Sequence, residues 1–192
     1  MSKLDLDYYL NPNVVHLAQD LLGKVLFTNF DNQITAGIIT ATEAYAGVTD
    51  KASHAYGGRF TERTKTMYNK GGCSYVYLCY GIHHLFNIVT NQKGIPDAVL
   101  LRGIKPLIGI DKMMERRNKN KITNTFSSGP GSASEALGIK TIHNNLSLVD
   151  NEIWIEDQGI IINPNEIRHA PRIGVAYAQE DALLKYHFSI KI

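Results

Sequence analysis

Apolar residues at Val14, Leu17, Ala18, Leu21 and Leu22 recur at helical spacing, behind Asn11 and Pro12 and ahead of Gly23. Asparagine caps helices, proline suits the first helical position and glycine ends them, so the pattern predicts a helix over 11–23. The period then changes. Residues 25–27 predict a strand, and 34–46 (ITAGIITATEAYA), rich in β-branched side chains and free of proline, predict a long one. From 49 to 72 the chain is polar, glycine-rich and basic without a clear period, which predicts a surface loop with one short helix near 63–68. Irregular loops of that length in compact domains are more often functional than idle. Two β-rich runs, 75–80 and 82–90, flank Gly81 and predict a hairpin. Further strands are predicted at 97–102, 153–156, 172–176 and 186–192. A helix is expected over 106–119, with Leu107, Ile110, Met113 and Met114 on one side, and a shorter one over 132–137. The set predicts a single α+β domain over 1–192 with a mainly antiparallel sheet.

Composition changes this picture little. Of 192 residues, 44% are hydrophobic and 20% charged, the profile of an ordinary globular chain long enough to bury a core. The formal net charge is only +2, so a basic face would have to come from arrangement rather than total charge. Residues 1–7 lack a basic stretch followed by an apolar run, and no apolar segment approaches a membrane span, which together predict a cytoplasmic protein. Cys73 and Cys79 lie six apart in one predicted strand, on one face but too distant for a disulfide.

Candidate chemistry begins at Glu43, near the end of the long strand. Alternation would place Ile39, Ala41, Glu43 and Tyr45 on one face. A carboxylate beside a phenol there reads either as a reactive pocket or as a solvated strand end. His54 in the loop, and Tyr75, Tyr77 and Tyr80 in the hairpin, bring four tyrosines and a histidine between positions 45 and 80. They read as a sheet core or as an aromatic pocket. Tyr80 and Ile82 flank the turn glycine, and apolar groups at a turn tip suggest that something is contacted. Arg59, Arg63, Lys65 and Lys70, interleaved with threonines and tyrosines, suit a phosphate backbone while the rings stack on a base. Adjacent His83 and His84 would point to opposite sides of a strand, and the cysteine spacing matches no common zinc motif, so no metal is expected.

These segments, taken in order, resemble the alkyladenine (3-methyladenine) DNA glycosylase family of the mammalian type, as a bacterial member. The residues that carry the resemblance are Thr42-Glu-Ala-Tyr-Ala-Gly, Asp50, Ala52-Ser-His, Gly58-Arg59, 61–63, Met67, Gly71, Tyr75-Val-Tyr, Tyr80-Gly81 and Asn87. Ala98-Val-Leu-Leu-Arg-Gly, Ser128-Gly-Pro-Gly and Pro171-Arg-Ile-Gly-Val complete the set. The resemblance spans nearly the whole chain. It implies a curved sheet with peripheral helices and a protruding hairpin. It implies hydrolysis of the bond between a damaged purine and deoxyribose in double-stranded DNA, by a monomer without cofactor, metal or lyase step, acting at the bacterial nucleoid. Glu43 would activate water, held by Arg102 and the backbone carbonyl of Ile173. Tyr45, His54 and Tyr77 would stack the flipped base, Asn87 would screen its edge, and Tyr80 with Ile82 would wedge into the duplex. Arg59, Arg63 and Lys65 would meet the DNA backbone.

One run departs from the family pattern. Many relatives carry a Pro-Trp-Arg-Phe-like sequence near the C-terminus where this chain reads Tyr186-His-Phe, which is expected to alter local packing and DNA contacts but not the pocket. Two rival readings remain at this level. A catalytically silent nucleic-acid-binding module would use the tyrosines and the basic loop but leave Glu43 without a task. A small-ligand domain of formyltransferase-like fold would leave Tyr80 without one.

Overall fold

The computed structural model describes residues 2–192. Met1 lies outside them. The chain runs β1 (Ser2–Lys3), α1 (Leu6–Tyr9), α2 (Val14–Asp20), β2 (Val25–Phe30), β3 (Gln33–Tyr45), β4 (Cys73–Cys79), β5 (His83–Thr90) and β6 (Asp97–Ile108). It continues with α3 (Ile110–Arg116), α4 (Pro130–Leu137), β7 (Ile153–Asp157), β8 (Arg168–Ala170) and β9 (His187–Ser189). The strands form one antiparallel sheet in the order β1-β7-β2-β3-β6-β5-β4. β9 joins β3 and β8 beside that path. This is the expected α+β class, a curled antiparallel sheet with few helices.

The sheet buries one face under the helices. Leu17, Leu21, Met113, Ala133 and Leu137 from α2, α3, α4 and their flanks pack with Ile39, Phe86, Ile88, Val99 and Leu101 of the strands. The hydroxyl of Thr42 donates to the Ala18 carbonyl at 2.6 Å and ties α2 to β3. Removing a fully buried leucine or isoleucine side chain from such a core costs about 2–5 kcal/mol.

Three local expectations are corrected by backbone geometry. First, 106–119 is not one helix. β6 runs on through Pro106, which sits where the β3–β6 register shifts and a missing N–H is tolerated. Gly109, at φ 69°, then turns the chain into α3, and a Cβ there would stand 2.5 Å from the Ile34 carbonyl oxygen. Second, 172–176 forms turns rather than a strand, and the edge strand is Arg168–Ala170. Third, Ile39 does not share a face with Glu43. Paired irregularities between Ile39/Ala41 and Ala41/Thr42 reverse the alternation, so Ile39 packs into the main core while Glu43 and Tyr45 look to the other side. α2, the helix predicted over 11–23, is capped by Asn13 rather than Asn11, and β9 is shorter than the predicted run. Cys73 and Cys79 are both unpaired on β4.

Candidate active site

Register assembles the site. Directly opposed residues of antiparallel strands share a face. One row crosses five strands: Tyr75 on β4 faces Asn87 on β5, which faces Leu100 on β6, which faces Glu43 on β3, which faces His187 on β9. Glu43 thus has a strand on each side and is 0% exposed. A solvated strand end, one of the two readings of its position, is excluded.

Four groups converge on the Glu43 carboxylate. The Ile173 amide N–H donates to Oε1 at 2.9 Å. His187 Nδ1 lies 3.0 Å from the same oxygen. Arg102 Nε stands 3.6 Å from it. The Tyr45 hydroxyl donates to Oε2 at 2.8 Å. Burial pushes the carboxyl pKa up, but the His187 hydrogen bond, the Arg102 charge and the Ile173 and Tyr45 hydrogen bonds outweigh it and hold the pKa below the ordinary glutamate value. Burial and the neighbouring carboxylate raise the Tyr45 phenol instead, so it stays a donor.

Beside this cage lies a cavity of about 790 Å³, lined by Tyr45, His54, Tyr75, Tyr77, Asn87, Arg102 and Ile173 among others. His54 and Tyr77 meet at 4.8 Å between ring centroids, 71° apart, and Tyr75 and Tyr77 at 5.4 Å. Burial, and then the charges of Arg63 and Arg59, push the His54 pKa down to about 4, so the ring is neutral at pH 7. Its Nδ1 shares a 2.9 Å hydrogen bond with the Tyr75 hydroxyl. Asn87 is held by its amide, which donates to the Tyr75 carbonyl at 3.1 Å. At the rim stands the β4–β5 turn. Tyr80 and Gly81 both have positive φ, 51° and 74°, the pair a type I′ turn needs. Tyr80 is 92% and Ile82 71% exposed.

The sequence matches the family described as "Methylpurine-DNA glycosylase (MPG)" over residues 8–191. The chain belongs to the methylpurine-DNA glycosylase family. Among its relatives, a protein named "Putative 3-methyladenine DNA glycosylase" from Chlamydia felis is 43% identical over 186 residues, 96% of this chain and 94% of that one. A protein of the same name from Clostridium perfringens (strain 13 / Type A) is 41% identical over 197 residues, 98% of this chain and 96% of that one.

Set against this family frame, the predicted residues fall into three groups. Glu43, Arg102, Ile173 and Tyr45 form the carboxylate cage. Ile173 touches Glu43 through its N–H, a contact not anticipated beside its carbonyl. His54, Tyr77 and Asn87 line the cavity, with Tyr80 at its mouth. The basic loop divides. Arg63 lays its guanidinium 4.7 Å over the Tyr77 ring and so belongs to the cavity wall. Arg59 is exposed, its carbonyl accepting from Thr64 and Tyr68. Lys65 is exposed and paired with Glu62.

Two parts of the candidate site are not anticipated by the sequence. The departing run 186–188 was expected to spare the pocket, yet His187 touches Glu43 and the Tyr186 ring lies 5.3 Å from the Arg172 guanidinium. Arg172 and Asp50 form a buried two-pronged ion pair, with Arg172 Nη2 donating to Asp50 Oδ1 at 2.8 Å and Nη1 to Oδ2. Nη1 also donates to the Ala44 carbonyl at 2.8 Å, and the guanidinium lies 4.8 Å from the Tyr45 ring. Asp50 accepts the Ala46 and Ala52 amides, both at 3.0 Å. The pair fixes the end of β3 against the loop that carries His54. Both residues stood in the matching motifs, but contacts across 122 positions leave no local pattern. Among the described residues, no three His, Cys, Asp or Glu side chains converge to hold a metal ion. No helix among them is long and apolar enough to cross a membrane.

Proposed function

We propose that this chain extrudes alkylated or deaminated purine nucleotides from duplex DNA and hydrolyses the glycosidic bond with a water activated by Glu43. Membership in its family makes it a DNA glycosylase, a hydrolase of N-glycosidic bonds in DNA repair. The observation that carries the finer reading is the enclosed, ionised Glu43 behind the wall of an aromatic cavity whose mouth bears Tyr80.

A base within a duplex hides its sugar, so the nucleotide must leave the stack at a cost of a few kcal/mol. Tyr80, exposed on a positive-φ turn that a bulky residue adopts reluctantly, supplies a wedge that offsets part of the lost stacking. The extruded base enters the slot of Tyr45, His54 and Tyr77. With His54 neutral, electron-rich rings meet the positive charge of an alkylated purine, worth about 0.5–2 kcal/mol per contact. Asn87, clamped by the Tyr75 carbonyl, presents a fixed edge that tests the shape of the base.

A carboxylate oxygen has about two lone-pair positions. Oε1 receives Ile173 and His187 and faces Arg102, whereas Oε2 receives Tyr45 alone. Oε2 is therefore the atom free to take the proton. As it does so, the water oxygen bonds to the anomeric carbon. The bond from that carbon to the purine breaks, and its electron pair leaves with the base. Arg102 and the Ile173 carbonyl steady the water. Until it takes that proton, the Glu43 carboxylate supplies the negative charge that stabilises positive charge developing on the sugar. Hydrolysis by water, without an amine nucleophile, leaves an abasic, uncut strand.

A silent binder would have no chemical task for Glu43. The test incubates purified protein with methylated duplex DNA and chelator and resolves free bases by chromatography. Release of 3-methyladenine with alkali-sensitive but uncut strands is expected. Strand cutting without alkali, or no release from methylated or hypoxanthine-containing duplexes by folded protein, contradicts the reading.

A further inference from the structure

The donor shell of Glu43 contains one side chain that the reaction scheme leaves without a task. His187 sits on β9 directly opposite Glu43, 13% exposed, with Nδ1 3.0 Å from Oε1. An ionised carboxylate only accepts, so the proton of this hydrogen bond belongs to Nδ1. We propose that His187 is a positioning residue: its Nδ1–H, with the Ile173 N–H, fills Oε1 and leaves Oε2 as the oxygen that takes the proton from water. The proposal rests on the reading of Glu43 as the base.

Three features support it. The contact is set by strand register, not by a flexible loop, since Thr42, Glu43 and Ala41 pair with Phe188, His187 and Ser189 in turn. β9 is itself pinned by β8 at Ala170, opposite His187, and by the Phe188 ring, buried against β3 and T-stacked on His169 at 5.1 Å. The two donors to Oε1 also come from separate segments, the turn at Ile173 and the strand at His187, 130 and 144 positions from Glu43, so both segments must dock on β3 before the carboxylate is oriented. The charged and titratable groups around the pair are Tyr45 on β3, Arg102 on β6, Arg172 beside Tyr45, and Arg168 and His169 on β8.

His187→Ala removes the Oε1 donor. Single-turnover base release is expected to fall about tenfold, the size of one hydrogen bond to a charged group. Affinity for a lesion duplex should stay within about twofold, since His187 stands behind the wall and not in the slot. The acidic limb of the pH–rate profile should move to higher pH, because the His187 hydrogen bond is among the groups that keep Glu43 ionised. His187→Asn, whose amide nitrogen can occupy the place of Nδ1, should restore most of the rate and the limb. His187→Gln, with its amide one carbon farther out, should not. The Asn/Gln pair decides the question even if the alanine variant fails to fold. Equal behaviour of Asn and Gln, or an alanine variant with wild-type rate and an unmoved limb, overturns the proposal. Glu43→Gln is run alongside: if it keeps wild-type activity, the base itself is misassigned, whereas an inactive Glu43→Gln beside a wild-type-like His187→Ala rejects the role of His187 alone.

Discussion

Glu43 and Tyr80, the two ends of the proposed site, are built in opposite ways. Glu43 lies inside the sheet, flanked by β6 and β9, fully enclosed and met by four groups from different segments. Tyr80 stands at a hairpin tip, 92% exposed, on a backbone conformation that glycine or asparagine would adopt at less cost. The difference follows from the tasks proposed for them. Stabilising charge in a transition state requires donors fixed in advance, because reorienting them during reaction costs the advantage. A wedge needs the reverse, an apolar surface without internal contacts that is buried only when DNA arrives. Substitution should therefore separate the two: changes in the cage should act on chemistry or folding, and changes at the tip on DNA engagement.

The largest effect is expected from Glu43→Gln, which keeps volume and removes the base. Base release should fall by about a thousandfold, within the range of general-base contributions, while lesion-duplex affinity is retained. Equal loss of affinity and rate would erase the contrast between cage and tip. Next is Asp50→Ala, which strands the buried Arg172 guanidinium. Thermal or urea unfolding should show a loss of about 3–5 kcal/mol, and an unchanged midpoint would remove the pair from the framework. Tyr80→Gly should weaken binding to a lesion duplex about tenfold, the scale of one lost stacking contact, while the melting temperature stays equal or rises as the positive φ is relieved. A fall in both would make Tyr80 a packing residue. The smallest effect concerns pH. His54 is held at about 4 in the folded state against 6.5 for the free side chain, so the unfolded chain binds more protons between those values. Its contribution to stability is whole above about pH 6.5 and is lost as pH falls toward about 4. His54→Gln should flatten the stability profile in that window. Glu43, with its lowered pKa, acts with the same sign at lower pH: its contribution is present above the ordinary glutamate pKa and is lost as pH falls through the lowered one.

Much of this organisation is legible in the sequence where it is periodic. The stripe of Val14, Leu17 and Leu21 marks α2, the β-branched run marks β3, and the two aromatic-rich runs about Gly81 mark the hairpin. Alternation within 43–45 correctly pairs Glu43 with Tyr45. It fails across Ile39 because an irregularity reverses the phase, and no residue type announces it. The helix expected from Pro106 fails because register tolerates proline where the ladder shifts, and tertiary pairing overrides the apparent helical stripe. In the site, the ordered motifs carry Glu43, Tyr45, His54, Tyr77, Asn87, Arg102 and Ile173, which the fold brings together, whereas Asp50 and Arg172, also within motifs, leave no local sign of their pairing. His187 carries no local sign of its role: a strand over 186–192 is predicted, but its pairing with β3, and so the contact with Glu43 across 144 positions, is not.

The central claim is that the enclosed carboxylate does the chemistry while the exposed tip prepares the substrate. The most direct test follows flipping and base release together in single turnovers, with a fluorescent reporter beside the lesion, for wild type, Glu43→Gln and Tyr80→Gly. The account predicts that Glu43→Gln gives the flipping signal of the wild type with almost no free base, and that Tyr80→Gly loses both in proportion. Free base released by Glu43→Gln at the wild-type rate would contradict it.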